Sequence, residues 1–187
     1  RPHPAILWVR HSSSSSKAPK AATTRGVSRM AARPTADRSA DTAKPSAGGA
    51  VDPVKVLAPR QACPQYVVEA VLELAGVSDT DVVYDLGCND GRNCIRAAAD
   101  CGARAVGVEI LPEAVVKARE NALAAGVADR VTILEQDLME VDVAEATVVM
   151  VYLVPKGMQK VAEKLRRELR PGTRIVCYLF SLPGFEP

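Results

Sequence analysis

Val83-Tyr84-Asp85-Leu86-Gly87-Cys88-Asn89-Asp90-Gly91-Arg92 decides how the rest of the chain is read. Its first half, with Asp81 and Val82 ahead of it, is a short apolar run of the type that lies buried within a sheet. Its second half places two glycines around Asn89 and Asp90, which is turn chemistry. A helix is predicted from there through roughly Cys101. Strand, glycine loop and helix in that order are the layout of a nucleotide-type pocket, with the ligand beyond the carboxyl end of the strand.

The same alternation continues on both sides. Upstream, Val67, Val68, Val71, Leu72 and Ala75 gather on one face of a predicted helix over Pro64 to Ala75, which Gly76 is suited to stop. Downstream, strands are predicted over Ala103 to Ile110, Arg130 to Leu134, Ala146 to Leu153 and Thr173 to Phe180, with helices opened by Pro112 and Pro155 between them. Lys160, Lys164, Arg166, Arg167 and Arg170 read as the solvated face of the last helix. Five strands joined by right-handed crossovers make an α/β protein, a Rossmann-like doubly wound parallel sheet of order 3-2-1-4-5. Ligand should then sit beyond the carboxyl ends of the first and fourth predicted strands.

Charge divides the 187 residues unevenly. The chain carries +2 in total, but residues 1–50 hold nine Lys and Arg against Asp37 and Asp41, a surplus of seven that leaves the remainder at −5. Those 50 residues are rich in Ser, Ala, Arg and Pro and show no sustained apolar period, so they read as a disordered basic tail followed by one domain over 51–187. The composition also suits an organellar transit peptide, mitochondrial or chloroplast, with a cytoplasmic protein bearing a generic flanking tail as the alternative. Nucleic-acid binding by the tail is disfavoured, because only Trp8 is available for stacking. No apolar run approaches the roughly 18 residues of a membrane span. Cys63, Cys88, Cys94, Cys101 and Cys177 contain no Cys-x-x-Cys pair, which argues against a zinc ribbon or a disulfide framework. His3 and His11 both lie in the tail, so the predicted domain has no imidazole for a triad, a metal or a general base.

The glycine loop also discriminates between ligands. A dinucleotide loop reads G-x-G-x-x-G, whereas Gly87, Asn89 and Gly91 stand in a G-x-N-x-G register with Asp90 added. A pyrophosphate there would face Asp85 and Asp90, while a sulfonium with an ammonium would be attracted to them. Asn89 can take the left-handed conformation that glycine usually supplies. Glu109 ends the second predicted strand 22 residues after Gly87, near the offset at which an acid grips ribose hydroxyls. Asp137 follows the third, where a carboxylate can accept from an adenine amino group or, equally, cap a turn.

In these stretches, with Gly107-Val108-Glu109-Ile110 and Asp137-Leu138, the sequence resembles the class I S-adenosylmethionine-dependent methyltransferases. The Tyr-Asp-Leu-Gly-x-x-Asp-Gly-Arg form, Ala146-Thr147-Val148-Val149 to Val154-Pro155, and Leu169-Arg170-Pro171-Gly172-Thr173-Arg174 resemble one branch more narrowly. That branch holds the mitochondrial lysine methyltransferases of the ATP synthase c subunit and the adenine nucleotide translocase. The resemblance covers roughly Leu57 to Pro187. It implies that Asp85, Gly87, Cys88 and Gly91, with Asn89 between them, line the methionine end of S-adenosyl-L-methionine. By the same resemblance Glu109 holds the ribose, Ile110 packs on adenine, and Asp137 with Leu138 meets the adenine edge. Tyr152 to Pro155 would stand where the acceptor approaches the methyl group, with Tyr152 and backbone carbonyls near Val154 and Pro155 orienting an amine.

Asn89 in place of the usual middle glycine, and Gln61-Ala62-Cys63-Pro64 in place of Val-Pro-Thr-Pro, depart from the branch. The resemblance further implies a C-terminally truncated domain lacking the usual last strands, with the fifth predicted strand as an exposed edge. The expected activity is methyl transfer to a protein substrate with a target lysine, with no nucleic-acid partner. A small-molecule or carboxylate methyltransferase and a non-catalytic cofactor-binding module are the alternatives, and a nicotinamide oxidoreductase is more distant.

Overall fold

Runs of valine and isoleucine that are buried from both sides form the centre of the sheet. The structure is a computed structural model, and it describes residues 5–9 as a strand and residues 63–185. In chain order the elements are β1 (Ala5–Val9), α1 (Gln65–Ala75), β2 (Val82–Leu86), α2 (Arg92–Cys101), β3 (Arg104–Glu109), α3 (Pro112–Ala124), β4 (Val131–Glu135), β5 (Val148–Val151), α4 (Pro155–Glu168) and β6 (Arg174–Tyr178). Every residue of β5 is buried, as is all of β3 after Arg104, whereas β4 alternates between buried and exposed. That difference follows position, since continuous apolar runs suit a strand covered on both faces and alternation suits one at an edge.

All pairings are parallel, and the order is β1-β6-β5-β2-β3-β4. The five strands expected from the sequence therefore lie in the expected order, 3-2-1-4-5. The departure is at the sixth. Ala5–Val9 pairs along β6 from Ala5 opposite Arg174 to Val9 opposite Tyr178, so β6 is not the exposed edge expected of a C-terminally truncated domain, and these five residues are a strand where a disordered tail was expected. The other residues of the 1–50 tail lie outside those described.

Helices α1, α2 and α3 cover one face, packing Val67, Val71, Ala97 and Val115 on Val83, Met150 and Val176. Helix α4 covers the other with Met158, Val161 and Leu165 on Tyr84, Val149 and Ile175. Its basic face is not wholly solvated. Lys164 is 2% exposed, and its Nζ donates to the Val141 carbonyl at 2.5 Å and pairs with Glu168. Among the described residues no helix is long and apolar enough to cross a membrane. The chain runs from β2 to β3 on one side and reaches β5 on the other, so the crevice between the carboxyl ends of β2 and β5 is the switch point where a ligand is expected.

Candidate active site

At that crevice the glycine loop is fixed by its backbone. The N–H groups of Gly87 and Cys88 both donate to the Val108 carbonyl, at 2.8 and 3.0 Å, which lays the loop across the end of β3. Gly87, Asn89 and Gly91 have φ of 90°, 48° and 78°, so Asn89 does adopt the left-handed conformation foreseen for it. Gly107 makes this possible from beneath. A Cβ there would lie 2.7 Å from Cys88 Sγ and 2.8 Å from Ile133 Cδ1, closer than atoms pack. The sequence motif contains Gly107, but the reason for it is this tertiary approach.

Glu109 clamps the loop. Its Oε2 accepts from the Asn89 amide at 2.9 Å, and its Oε1 accepts from the amides of Ile110 and Leu111 at 2.8 and 3.0 Å. The carboxylate is thereby held in one orientation in the crevice, with acceptor capacity left on Oε2, which takes one amide where Oε1 takes two. Asp85, buried at the end of β2, accepts from Asn93 Nδ2 at 2.9 Å. Burial pushes its pKa up to about 7, against the Asn93 hydrogen bond and with further push from Glu109 and Asp90. Asp90 is otherwise disposed. Burial raises it, but the forked Arg92 guanidinium at 2.6 to 3.2 Å outweighs that and holds its carboxyl below the usual value. Arg92 also donates from Nη1 to the Cys63 carbonyl at 2.8 Å, and Asn121 Nδ2 donates to the Asp90 carbonyl at 2.9 Å. Sequence reading missed Asn93 and Asn121, since nothing in an isolated asparagine reports what it faces.

Asp137 lies one strand farther out. The Gln136 amide donates to the Glu109 carbonyl at 2.9 Å, joining the two acids through the backbone, and Asp137 Oδ1 accepts from Met139 N at 2.9 Å, a turn-capping contact. Leu138 is buried in the α4-side core. Tyr152 follows β5 and is half-buried, with its ring 4.9 Å from that of Tyr178 at 63°. Burial raises the Tyr152 hydroxyl above its ordinary value, so it stays protonated at neutral pH. Pro155 is exposed at the first position of α4 and offers no polar side-chain atom. The Val154 carbonyl cannot orient an amine as expected, because it already accepts from Gly157 N at 2.8 Å and Met158 N at 3.0 Å to start α4. The thiols are also unsuited to chemistry. Burial raises Cys88 well above its usual value and, with Asp85 beside it, takes Cys63 to about 12.

The crevice thus gathers three carboxyl groups, Asp85, Asp90 and Glu109, against one cation, Arg92. Such an imbalance fits a cationic ligand and opposes a pyrophosphate. The ANTKMT methyltransferase domain family matches residues 85–187, from Asp85 of the loop through β6. The chain belongs to this family. A protein-lysine N-methyltransferase of Saccharolobus islandicus is 45% identical over 125 residues, which is 66% of this chain and 78% of that protein. The adenine nucleotide translocase lysine N-methyltransferase of Mus musculus is 36% identical over 72% of this chain, which spans 58% of that protein's length. A Salinibacter ruber structure described as an RNA methyltransferase in complex with S-adenosyl-L-homocysteine is 49% identical, with a TM-score of 0.66 over 68% of this chain and 83% of its own. The chain is thus an S-adenosylmethionine-dependent methyltransferase.

Proposed function

We propose that this chain methylates the side-chain amine of a protein lysine. The observation that carries this reading is the 45% identity to a protein-lysine N-methyltransferase, set beside the acid-lined crevice of Asp85 and Glu109, which suits a cationic methyl donor. The Salinibacter ruber relative's description favours RNA as a second reading, which the ribonuclease arm below tests. S-adenosylmethionine, when bound, supplies an electrophilic methyl group on a sulfonium. Asp85 faces its cationic end, Glu109 takes the ribose hydroxyls, Ile110 packs on adenine, and Asp137 with Leu138 meets the adenine edge. Loop residues Gly87, Cys88, Asn89 and Gly91 allow the close approach.

The acceptor side follows from the absence of imidazole in residues 63–185. A lysine amine with an ordinary pKa of about 10.4 has to be neutral to attack. Tyr152, protonated, is unable to take its proton but can accept a hydrogen bond from it, and removal from water favours the neutral amine. The basic tail supports an organellar location for this activity.

Methyl incorporation from labelled cofactor into organellar protein, with ribonuclease and protease arms, distinguishes lysine from RNA as acceptor. Activity is expected to climb from pH 7 toward pH 9 with the neutral-amine fraction, and Tyr152→Phe to lower kcat more than cofactor affinity. A flat pH profile, or full turnover in Tyr152→Phe, would favour a carboxylate acceptor instead. Glu109→Ala is expected to weaken cofactor binding about tenfold to a hundredfold; unchanged affinity in a folded variant removes Glu109 from the site.

A further inference from the structure

Among the described residues, helices α2, α3 and α4 carry the crossovers from β2 to β3, β3 to β4 and β5 to β6, but β4 reaches β5 through residues 136–147 without a helix. Backbone in that segment has no helical ladder to satisfy it, yet the segment is not a surface loop. Leu138, Val141, Val143 and Ala146 are all buried in the core that α4 covers. Each carbonyl that goes in with them needs a donor from elsewhere.

For Val141 the donor is a lysine. Lys164 of α4 is 2% exposed, with Val161 and Leu165 of the same core beside it along the helix. Its Nζ donates to the Val141 carbonyl at 2.5 Å and pairs with Glu168 one turn further on. Taking an amine out of water is costly, and a methionine or leucine would fill the same space without that cost. Helix α4 already buries both types, as Met158 and Leu165, so packing does not call for a lysine at 164. What the amine does and an apolar side chain cannot is hold the Val141 oxygen.

That oxygen ends a turn that begins at a residue of the candidate site. The Met139 amide donates to Asp137 Oδ1 and the Glu140 amide to the Asp137 carbonyl, each at 2.9 Å. At the near end the Gln136 amide is tied to the Glu109 carbonyl at 2.9 Å, and at the far end Val141 is tied to Lys164. Asp137 and Leu138 lie between these two anchors.

We propose that Lys164 is a positioning residue for recognition of the cofactor's base: by holding the Val141 carbonyl from within α4, it sets the turn that presents Asp137 and Leu138 to the adenine edge. This rests on the reading of those two residues as the adenine contact, and Lys164 itself touches no ligand. Asp85 and Glu109 belong to β2 and β3, so the sulfonium and ribose contacts are independent of the strap.

The test is calorimetry on the full chain with S-adenosylhomocysteine and with S-inosylhomocysteine, in which a carbonyl oxygen replaces the adenine amino group and would face the Asp137 carboxylate. Wild type should prefer the adenine compound by about tenfold or more. Lys164→Met keeps the stem and removes the amine. It should bind S-adenosylhomocysteine about fivefold to twentyfold more weakly and S-inosylhomocysteine within about twofold of wild type, so that the preference collapses. Amide exchange at residues 138–141 should quicken while β2 and α2 are unchanged. Should Lys164→Met not fold, Glu168→Ala, which withdraws the partner of the amine at a partly exposed site, reads the same preference and should reduce it about twofold to threefold. An equal loss for both compounds would make Lys164 a structural residue only, and an unchanged preference would equally overturn the proposal. Failure of the adenine reading shows separately. An Asp137→Ala variant with the wild-type preference would remove Asp137 from the adenine edge, and the ratio measured in Lys164→Met would still decide whether Lys164 sets the turn.

Discussion

Asp81 and Asp85 stand four residues apart at opposite ends of β2, and the fold treats them in opposite ways. At the amino end, Asp81 accepts from the Ser78 amide at 2.8 Å and the Thr147 hydroxyl at 2.7 Å and pairs with Arg174, whose guanidinium also reaches the Ala75 carbonyl at 2.6 Å. Burial raises its carboxyl, but these donors outweigh it and hold Asp81 below the usual value. At the carboxyl end, Asp85 accepts from Asn93 and is buried beside two acidic neighbours, Glu109 and Asp90, and its pKa is raised to about 7. One carboxylate joins α1, β2, β5 and β6 into a frame. The other is left with negative charge around it that only a ligand can balance. Stability is concentrated at the amino end of this sheet and ligand chemistry at the carboxyl end, as in other open α/β sheets.

The sharpest way to break that contrast is Asp85→Asn, which keeps the shape and removes the charge. Affinity for S-adenosylmethionine should fall about a hundredfold in calorimetry, the loss expected for one charge-assisted contact. The free protein should become more stable. A carboxyl whose folded pKa is raised contributes stability below its unfolded value near 3.9, and that contribution is lost as pH rises through about 7. The penalty at pH 8 is on the order of 4 kcal/mol, so Asp85→Asn should melt several degrees higher there, with a smaller gain at pH 5. Wild-type cofactor affinity should strengthen about tenfold from pH 6 to pH 8 as Asp85 ionises, and this dependence should vanish in the variant. A variant that melts no higher at pH 8 would show that burial imposes no penalty on ionised Asp85.

Asp81→Asn should do the reverse. Its lowered pKa means that its contribution is present above about pH 4 and lost as pH falls, so the variant should be less stable at pH 7 by about 2 kcal/mol. Cofactor affinity should stay within about twofold of wild type, because no atom of the Asp81 network belongs to the crevice. A comparable loss of affinity would mean that the two ends of β2 are coupled, and the division drawn here would fail.

The cofactor half was the more legible half because its determinants are contiguous. Gly87 to Arg92 follow one strand directly, and Glu109 and Asp137 follow the next two, so order along the chain stands in for position in space. The five central strands were legible for a similar reason, being β-branched runs separated by helical periods. The acceptor half resisted. Tyr152 follows β5 and Tyr178 ends β6, and no local pattern ties the two together. Of the carbonyls near Val154 and Pro155 expected to orient an amine, that of Val154 is claimed by the amides of the helix start that the following proline marks. Lys164 was placed with its basic neighbours in solvent, yet its carbon stem lies in the core and its amine finds a carbonyl. Ala5-Ile6-Leu7-Trp8-Val9 carried a strand signal of its own, diluted by judging fifty residues on their average composition.

That strand supplies the smallest and most discriminating of the expected effects. Removing residues 1–50 takes away β1, which pairs along the whole of β6 and is separated from β2 and its glycine loop by β6 and β5. Cofactor affinity should therefore change by no more than about twofold, or ~0.4 kcal/mol. Stability should fall, since the shortened chain exposes the N–H and C=O groups of β6 as an unpaired edge, and its solution should show concentration-dependent association. The two readouts separate the candidate roles of the segment. A fall in melting temperature with affinity preserved makes β1 an edge cover, remote from the chemistry. A large loss of affinity in the folded, monomeric shortened chain would bring the tail, and with it His3 or His11, into the site, and the imidazole-free account of amine deprotonation would have to be abandoned.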